Sequence, residues 1–207
     1  MKSRNPPRPR TMNLSLDLST SCTGVCITDS KGNIIHKEAL VLSKIKGLSK
    51  DKDEVFWQKA DFIKSYLKGL RDIENVIIEE PLFNGPNRFT ANLLIRFNGV
   101  VSYICREELS VTPIYLSVHE VRKAVCPEFI KREVKKGKIE ETFYMPKGLD
   151  KKLYIFNKIK AWFPELKWEL NKKGDLKPEN LDISDSIAVN LAYLLKENTI
   201  NLKELGI

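Results

Sequence analysis

The chain has 207 residues, 42% hydrophobic and 30% charged, with Lys+Arg 35 against Asp+Glu 27, a net charge of +8 and a pI near 9.2. That apolar content can build a core and excludes global disorder. The length suits one domain, or one domain with an extension. No apolar run approaches the roughly 18 residues that a membrane helix needs.

The first segment, Met1 to Thr11, carries Lys2, Arg4, Arg8 and Arg10 with no acid. It is proline-rich and has no apolar stretch, so it reads as a basic flexible tail and not a secretory signal. Met12 to Leu18 then alternates. Leu14, Leu16 and Leu18 share one face; Ser15, Asp17 and Ser19 share the other. A turn over Ser19 to Gly24 leads to a second strand at Val25 to Thr28. Asp29 to Asn33 is a hairpin turn signal, and Ile34 to Leu42 is the third strand. The chain therefore opens as an antiparallel meander.

Lys52 to Leu70 is predicted helical, with Phe56, Ala60, Ile63, Leu67 and Leu70 on one stripe. Val76-Ile77-Ile78 is wholly apolar and ends at Glu79-Glu80-Pro81, as expected of a buried parallel strand stopped by proline. Phe89 to Leu109 is the next helix, with Phe89 expected in the core. Val111 to Leu116 is a strand, and Val118 to Val125 and Lys151 to Phe163 are helices. Leu181 to Leu195 is the last helix, with Ile183, Ile187, Leu191 and Leu194 on one face. Cys126 to Asp150 and Pro164 to Asn180 carry no clear pattern. The order describes a mixed α/β sandwich.

The charge is unevenly placed. The tail is +4, Lys131 to Lys152 is +4, and the remainder holds 23 basic and 23 acidic residues. A basic excess implies an anionic partner, with nucleic acid the first candidate. Two solvated, flexible stretches explain the same numbers equally well. The cysteines, Cys22, Cys26, Cys105 and Cys126, form no CxxC pair, and His36 and His119 are the only histidines. Zinc-finger spacing is therefore absent, and the scatter reads as a reduced cytoplasmic chain.

Four acids stand in costly positions. Asp17 lies inside a strand, where aspartate is depleted. Glu79 closes the most apolar strand. Asp182 and Asp185, three apart, share one face at the start of the last helix. Function in open α/β sheets gathers at strand C-termini, which would join Asp17 and Glu79 if their strands are neighbours. Crowded carboxylates repel, and a hard divalent cation relieves them. Two such ions can activate water and stabilise the leaving oxygen of a phosphodiester. Taken singly, Asp182-x-x-Asp185 also reads as a helix cap with acid in the first turn, and Glu79-Glu80-Pro81 as an ordinary strand end.

Leu16-Asp17-Leu18-Ser19 with Thr23-Gly24, Val76-Ile77-Ile78-Glu79-Glu80-Pro81 and Asp182-Ile183-Ser184-Asp185-Ser186-Ile187-Ala188 together resemble the RuvC family of Holliday-junction resolvases, within the RNase H-like superfamily. The Asp-Leu-Ser opening is closer to the phage and viral branch. The resemblance spans about residues 12 to 195. It implies a mixed five-stranded sheet, three antiparallel strands then two parallel, with helices on both faces. It implies a single nuclease domain over 12–207 with an insertion at about 127–149. Asp17, Glu79, Asp182 and Asp185 would be the catalytic and metal-binding set, holding two Mg²⁺ ions, with Mn²⁺ able to substitute. The implied activity is resolution of four-way or other branched DNA by a homodimer.

The resemblance also suggests a DNA-binding set. Arg122 and Lys123 fall on the family's basic helix, and Lys151 and Lys152 match its lysine at the next helix start. Phe83, with Arg88 nearby, falls on the loop after Glu79, one position later than the family's aromatic. Glu80 should point away from the site. Beyond the family pattern, Lys131, Arg132, Lys135, Lys136 and Lys138, followed by Phe143, Tyr144 and Met145, could grip DNA by charge and stacking. Three alternatives stay open: a nuclease for RNA–DNA hybrids, a non-catalytic junction binder, and an actin-like ATP-binding fold. The last needs a second domain and a second phosphate loop.

Overall fold

The computed structural model describes residues 11–81, 87–135 and 138–201, with 134, 135 and 138–140 given by their backbone. Three strands form the opening meander: β1 (Met12–Asp17), β2 (Thr23–Asp29) and β3 (Ile34–Leu40). Helix α1 (Lys52–Lys68) follows, then β4 (Ile73–Glu80), α2 (Arg88–Leu109), β5 (Ile114–Ser117) and α3 (Val118–Val125). A two-stranded ribbon, β6 (Ile130–Lys135) and β7 (Lys138–Phe143), precedes α4 (Lys151–Trp162) and α5 (Glu179–Lys196).

The five-stranded sheet runs β3-β2-β1-β4-β5. Its first three strands pair antiparallel, whereas β4 pairs parallel with both β1 and β5. The pattern of three antiparallel strands followed by two parallel is the predicted one, and the pairing of β1 with β4 makes their strand ends neighbours. Strand β1 is central, so both of its faces are buried. Leu14 and Leu16 join Val76 and Ile78 beneath the apolar stripes of α1 and α2. Ile77 and Leu116 face the other way, toward α3, α4 and α5. Strand alternation then places Asp17 and Glu79 on the α5 side, because each lies two residues beyond Ser15 and Ile77.

The buried polar side chains between β1, β2 and α5 are paired, as burial demands. Ser15 Oγ donates to the Ser186 carbonyl at 2.8 Å, Asn190 Nδ2 donates to Ser15 Oγ at 3.1 Å, and Thr28 Oγ1 donates to Asn190 Oδ1 at 3.0 Å. These bonds set where α5 rests on β1 and β2.

Helix starts follow local capping chemistry. Asp51 accepts from Asp53 and Glu54 amides, Asn87 from Phe89 and Thr90, and Asp150 from Leu153. Ser117 and Glu120 form a reciprocal capping box at α3.

Two expectations change. Phe89 is 73% exposed. The buried stripe of α2 is Ala91, Phe97, Asn98, Val101, Ile104 and Cys105, and Phe89 lies off it. Residues 126–150, unassigned from sequence, contain the β6–β7 ribbon, whose register runs from Ile130↔Phe143 to Lys135↔Lys138. Its interleaved charges mask the strand period, while Ile130, Val134, Ile139 and Phe143 are the β-favouring residues that mark it. The basic tail falls outside the described residues except at Thr11. Among the described residues, no helix is long and apolar enough to cross a membrane.

Candidate metal and nucleic-acid site

Asp17 is the last residue of β1, and Glu79 stands one residue beyond the Leu16↔Ile78 pair, on the neighbouring parallel strand. The two carboxylates thus leave the sheet side by side at its C-terminal edge. Helix α5 brings the other two. Its N-cap is Pro178, without a side-chain bond, so Asp182 and Asp185 do not cap the helix. Asp182 does lie in the first turn, where an acid is favourable, so that half of the ordinary reading holds. Asp17, Asp182 and Asp185 each offer a carboxylate oxygen within 4.8 Å of the others.

Gly24 makes that approach possible. It pairs with Asp17 across the β1–β2 ladder. A β-carbon at position 24 would lie 1.9 Å from the Asp182 carbonyl oxygen. Sequence reading missed this role; the available signal was a glycine inside a strand, which marks close backbone approach.

The electrostatics are those of a crowded acidic site. Burial, then Asp185 and Glu79, raise the Asp17 carboxyl well above its ordinary range. Glu79 is pushed up to about 7 by burial and Asp185, against the pull of Arg122 and Lys152. Burial raises Asp185 as well, opposed by Lys152. Lys152 Nζ bonds Asp182 Oδ1 at 2.9 Å and Asp185 Oδ2 at 3.0 Å. Burial disfavours its charge, but Asp185, Asp17 and Asp182 outweigh that and raise it above the usual lysine range. Burial first, then the neighbouring Asp182 carboxylate, pushes the Cys22 thiol up to about 12.

Two cavities meet at the carboxylates. One, of about 90 Å³, is lined by Asp17, Glu79, Asp185, Arg122, Lys151 and Lys152, with apolar walls from Val121, Ile155 and Ala188. The other, of about 330 Å³, adds Glu80, Pro81, Asn87, Thr90 and Leu94 toward α2. Glu80, expected to point away from the site, lines this second cavity together with Asp17 and Glu79.

The donor set fits a hard divalent ion. All donors are carboxylate oxygens, their mutual repulsion is uncompensated except by lysine and arginine, and the smaller cavity has room for an ion with a few waters. Soft or nitrogen-preferring metals find no matching ligands in it.

Of the basic residues singled out from sequence, Arg122, Lys151 and Lys152 line the site. Lys123 lines neither cavity, although it sits on α3 beside Arg122. Arg88 is the exposed first residue of α2. Lys131 and Arg132 are exposed on β6. Arg132 Nε pairs with Glu141 Oε1 across the ribbon at 3.0 Å, and Lys131 lies 5.4 Å from the Tyr144 ring centre. Phe83 and Lys136 lie outside the described residues, and Lys135 is described by its backbone. The ribbon is anchored on the helices that carry Arg122 and Lys152. Phe143 meets His119 edge-on at 5.4 Å, and Phe129 meets Tyr154 at 5.3 Å.

No family model and no curated protein matches the sequence. Solved structures do. Thermus thermophilus RuvC in complex with a Holliday junction substrate aligns over 91% of this chain and 97% of its own, with a TM-score of 0.56 and 12% identity. A second structure of Thermus thermophilus RuvC aligns over 91% and 98%, with a TM-score of 0.53 and 12% identity. The chain therefore has the RNase H-like α/β fold of RuvC, as its strand order independently indicates.

Proposed function

We propose that this protein is a metal-dependent endonuclease that cuts four-way or otherwise branched DNA. The observation that carries the reading is the meeting of Asp17, Asp182 and Asp185 oxygens within 4.8 Å, beside Glu79, at the open edge of parallel strands. A binding module gains nothing from such a costly cluster. Asp17 and Glu79 would hold one Mg²⁺, and Asp17 with Asp182 or Asp185 a second; Mn²⁺ would substitute. Ions held there would activate water and stabilise the leaving 3′ oxygen of a phosphodiester.

The protein's own cations supply the rest. Arg122 and Lys151, on the wall of the 90 Å³ cavity, would hold phosphate oxygens of the cut strand. Lys131 and Arg132 on the exposed ribbon would hold flanking duplex. A four-way junction has two opposed strands to cut, so a homodimer with one site per strand is the matching assembly. The RuvC structure with a Holliday junction substrate supports this substrate class.

The test compares cleavage of a synthetic four-way junction, a flap, a linear duplex and an RNA–DNA hybrid, each with Mg²⁺. Preferred cutting of the junction, stopped by chelation, is the expected result. Preference for the hybrid would overturn the substrate while sparing the fold.

A further inference from the structure

Lys152 is the second residue of α4, whose start is held by the Asp150 cap. Its ammonium touches Asp182 and Asp185 at 2.9 and 3.0 Å, and its side chain remains 52% exposed. Arg122 lines the same cavity, but the lysine is the cation in contact with the cluster among the described residues. An ammonium donates to oxygens at hydrogen-bond distance, whereas Mg²⁺ draws them to about 2.1 Å. An ammonium and a divalent ion held by the same two carboxylates repel each other and draw on the same negative charge, so each weakens the other's hold. The lysine stem is flexible and half in solvent, so it can rotate away without moving the backbone.

We propose that Lys152 is a built-in competitor for the divalent ion: its ammonium neutralises the two carboxylates and is driven off them when an ion binds. This inference rests on the metal-binding reading above. It assigns Lys152 two opposing effects. In the unloaded protein it offsets carboxylate repulsion and keeps α5 against the sheet edge. Toward the ion it lowers affinity, since each ion arrives beside a cation already paired with its ligands. Once displaced, the ammonium remains at the rim of the 90 Å³ cavity, where a phosphate oxygen is its natural new partner.

Mn²⁺ binding to the full chain at neutral pH, measured by the loss of the free-ion magnetic resonance signal, tests this. Lys152→Gln should bind Mn²⁺ about tenfold more tightly than the wild type. It should also melt at a lower temperature in chelator and show a larger rise when Mn²⁺ is added. Lys152→Arg, which keeps the charge, should stay near wild-type affinity. In the wild-type protein with isotope-labelled lysine, the Lys152 side-chain resonance should shift and sharpen as Mg²⁺ is added. Equal or weaker Mn²⁺ binding by Lys152→Gln overturns the proposal, as does a Lys152 resonance unmoved by saturating Mg²⁺. The labelled wild type gives the answer even where a variant folds poorly. If the wild type binds neither ion, the metal reading itself fails, which is a separate outcome.

Discussion

Gly24 and Asp182 are in direct backbone contact: a β-carbon on the glycine would lie 1.9 Å from the aspartate's carbonyl oxygen and 2.5 Å from its carbonyl carbon. The obstacle is backbone, which cannot rotate away as a side chain can. Gly24→Ala should therefore push the start of α5 off the sheet and cost about 1–3 kcal/mol of stability. Divalent-ion binding should weaken, because Asp182 and Asp185 move away from Asp17. Denaturant unfolding and Mn²⁺ titration of the variant measure both effects. A variant of unchanged stability with normal Mn²⁺ binding would show that the contact positions nothing.

Asp17 is the residue at which strand, helix and cation all meet. Asp17→Asn should abolish cleavage yet keep junction binding, since the basic surfaces are untouched. Without divalent ions it should also stabilise the fold, by on the order of 1 kcal/mol, because it removes a charge that burial and three neighbouring carboxylates disfavour. Gel-shift, cleavage and thermal melting in chelator separate these outcomes.

The same crowding gives a pH dependence. Glu79 holds its proton more tightly folded than unfolded, with its value pushed up from 4.5 to about 7. A group of this kind contributes stability that is fully present below its unfolded value and is lost as pH rises to the folded one. Stability in chelator should therefore fall between about pH 4.5 and 7, by no more than about 3 kcal/mol from this group. Asp17 acts in the same direction. Mg²⁺ should reverse the trend, because it binds the deprotonated cluster. Melting curves across this window, with chelator and with Mg²⁺, should diverge as pH rises. The Glu79→Gln variant should show a shallower slope.

Asn190 is fully buried and links Ser15 and Thr28 to α5. Asn190→Ala leaves both hydroxyls short of a partner and should cost about 1–3 kcal/mol. Urea unfolding measures it. Cleavage should fall as well, since α5 loses its seating on the strand that ends in Asp17.

The β6–β7 ribbon supplies the remaining prediction. Replacing Lys131 and Arg132 together with alanine should weaken junction binding and reduce the slope of log affinity against log salt by about 1–2. Both side chains are exposed, so the fold should be unaffected. An unchanged slope would remove the ribbon from the DNA interface.

Much of this molecule is written in local patterns. The α1 stripe of Phe56, Ala60, Ile63 and Leu67 is buried as its period requires, and α3 spans the predicted Val118–Val125. The apolar run before Glu79 is a parallel strand buried on both faces. These follow from side-chain period and proline punctuation, which act over a few residues. Phe89 defeated the same logic, because hydrophobicity alone does not say which side of a helix start faces the core. The ribbon over 130–143 was hidden because its charges alternate with its strand-forming residues.

The sequence by itself determined that four acids stand where acids are costly, and that the body of the chain is neutral between basic attachments. Only the tertiary structure decided that Asp17, Asp182 and Asp185 converge, since residues 165 positions apart meet through strand pairing and helix seating. It also decided which cations matter. Lys151, Lys152 and Lys131 look alike in a charge count, but one lines the cavity, one sits between two carboxylates, and one stands on an exposed ribbon. The reason is range. Period and propensity act between sequence neighbours, whereas charge acts through space, over distances that only the folded chain sets.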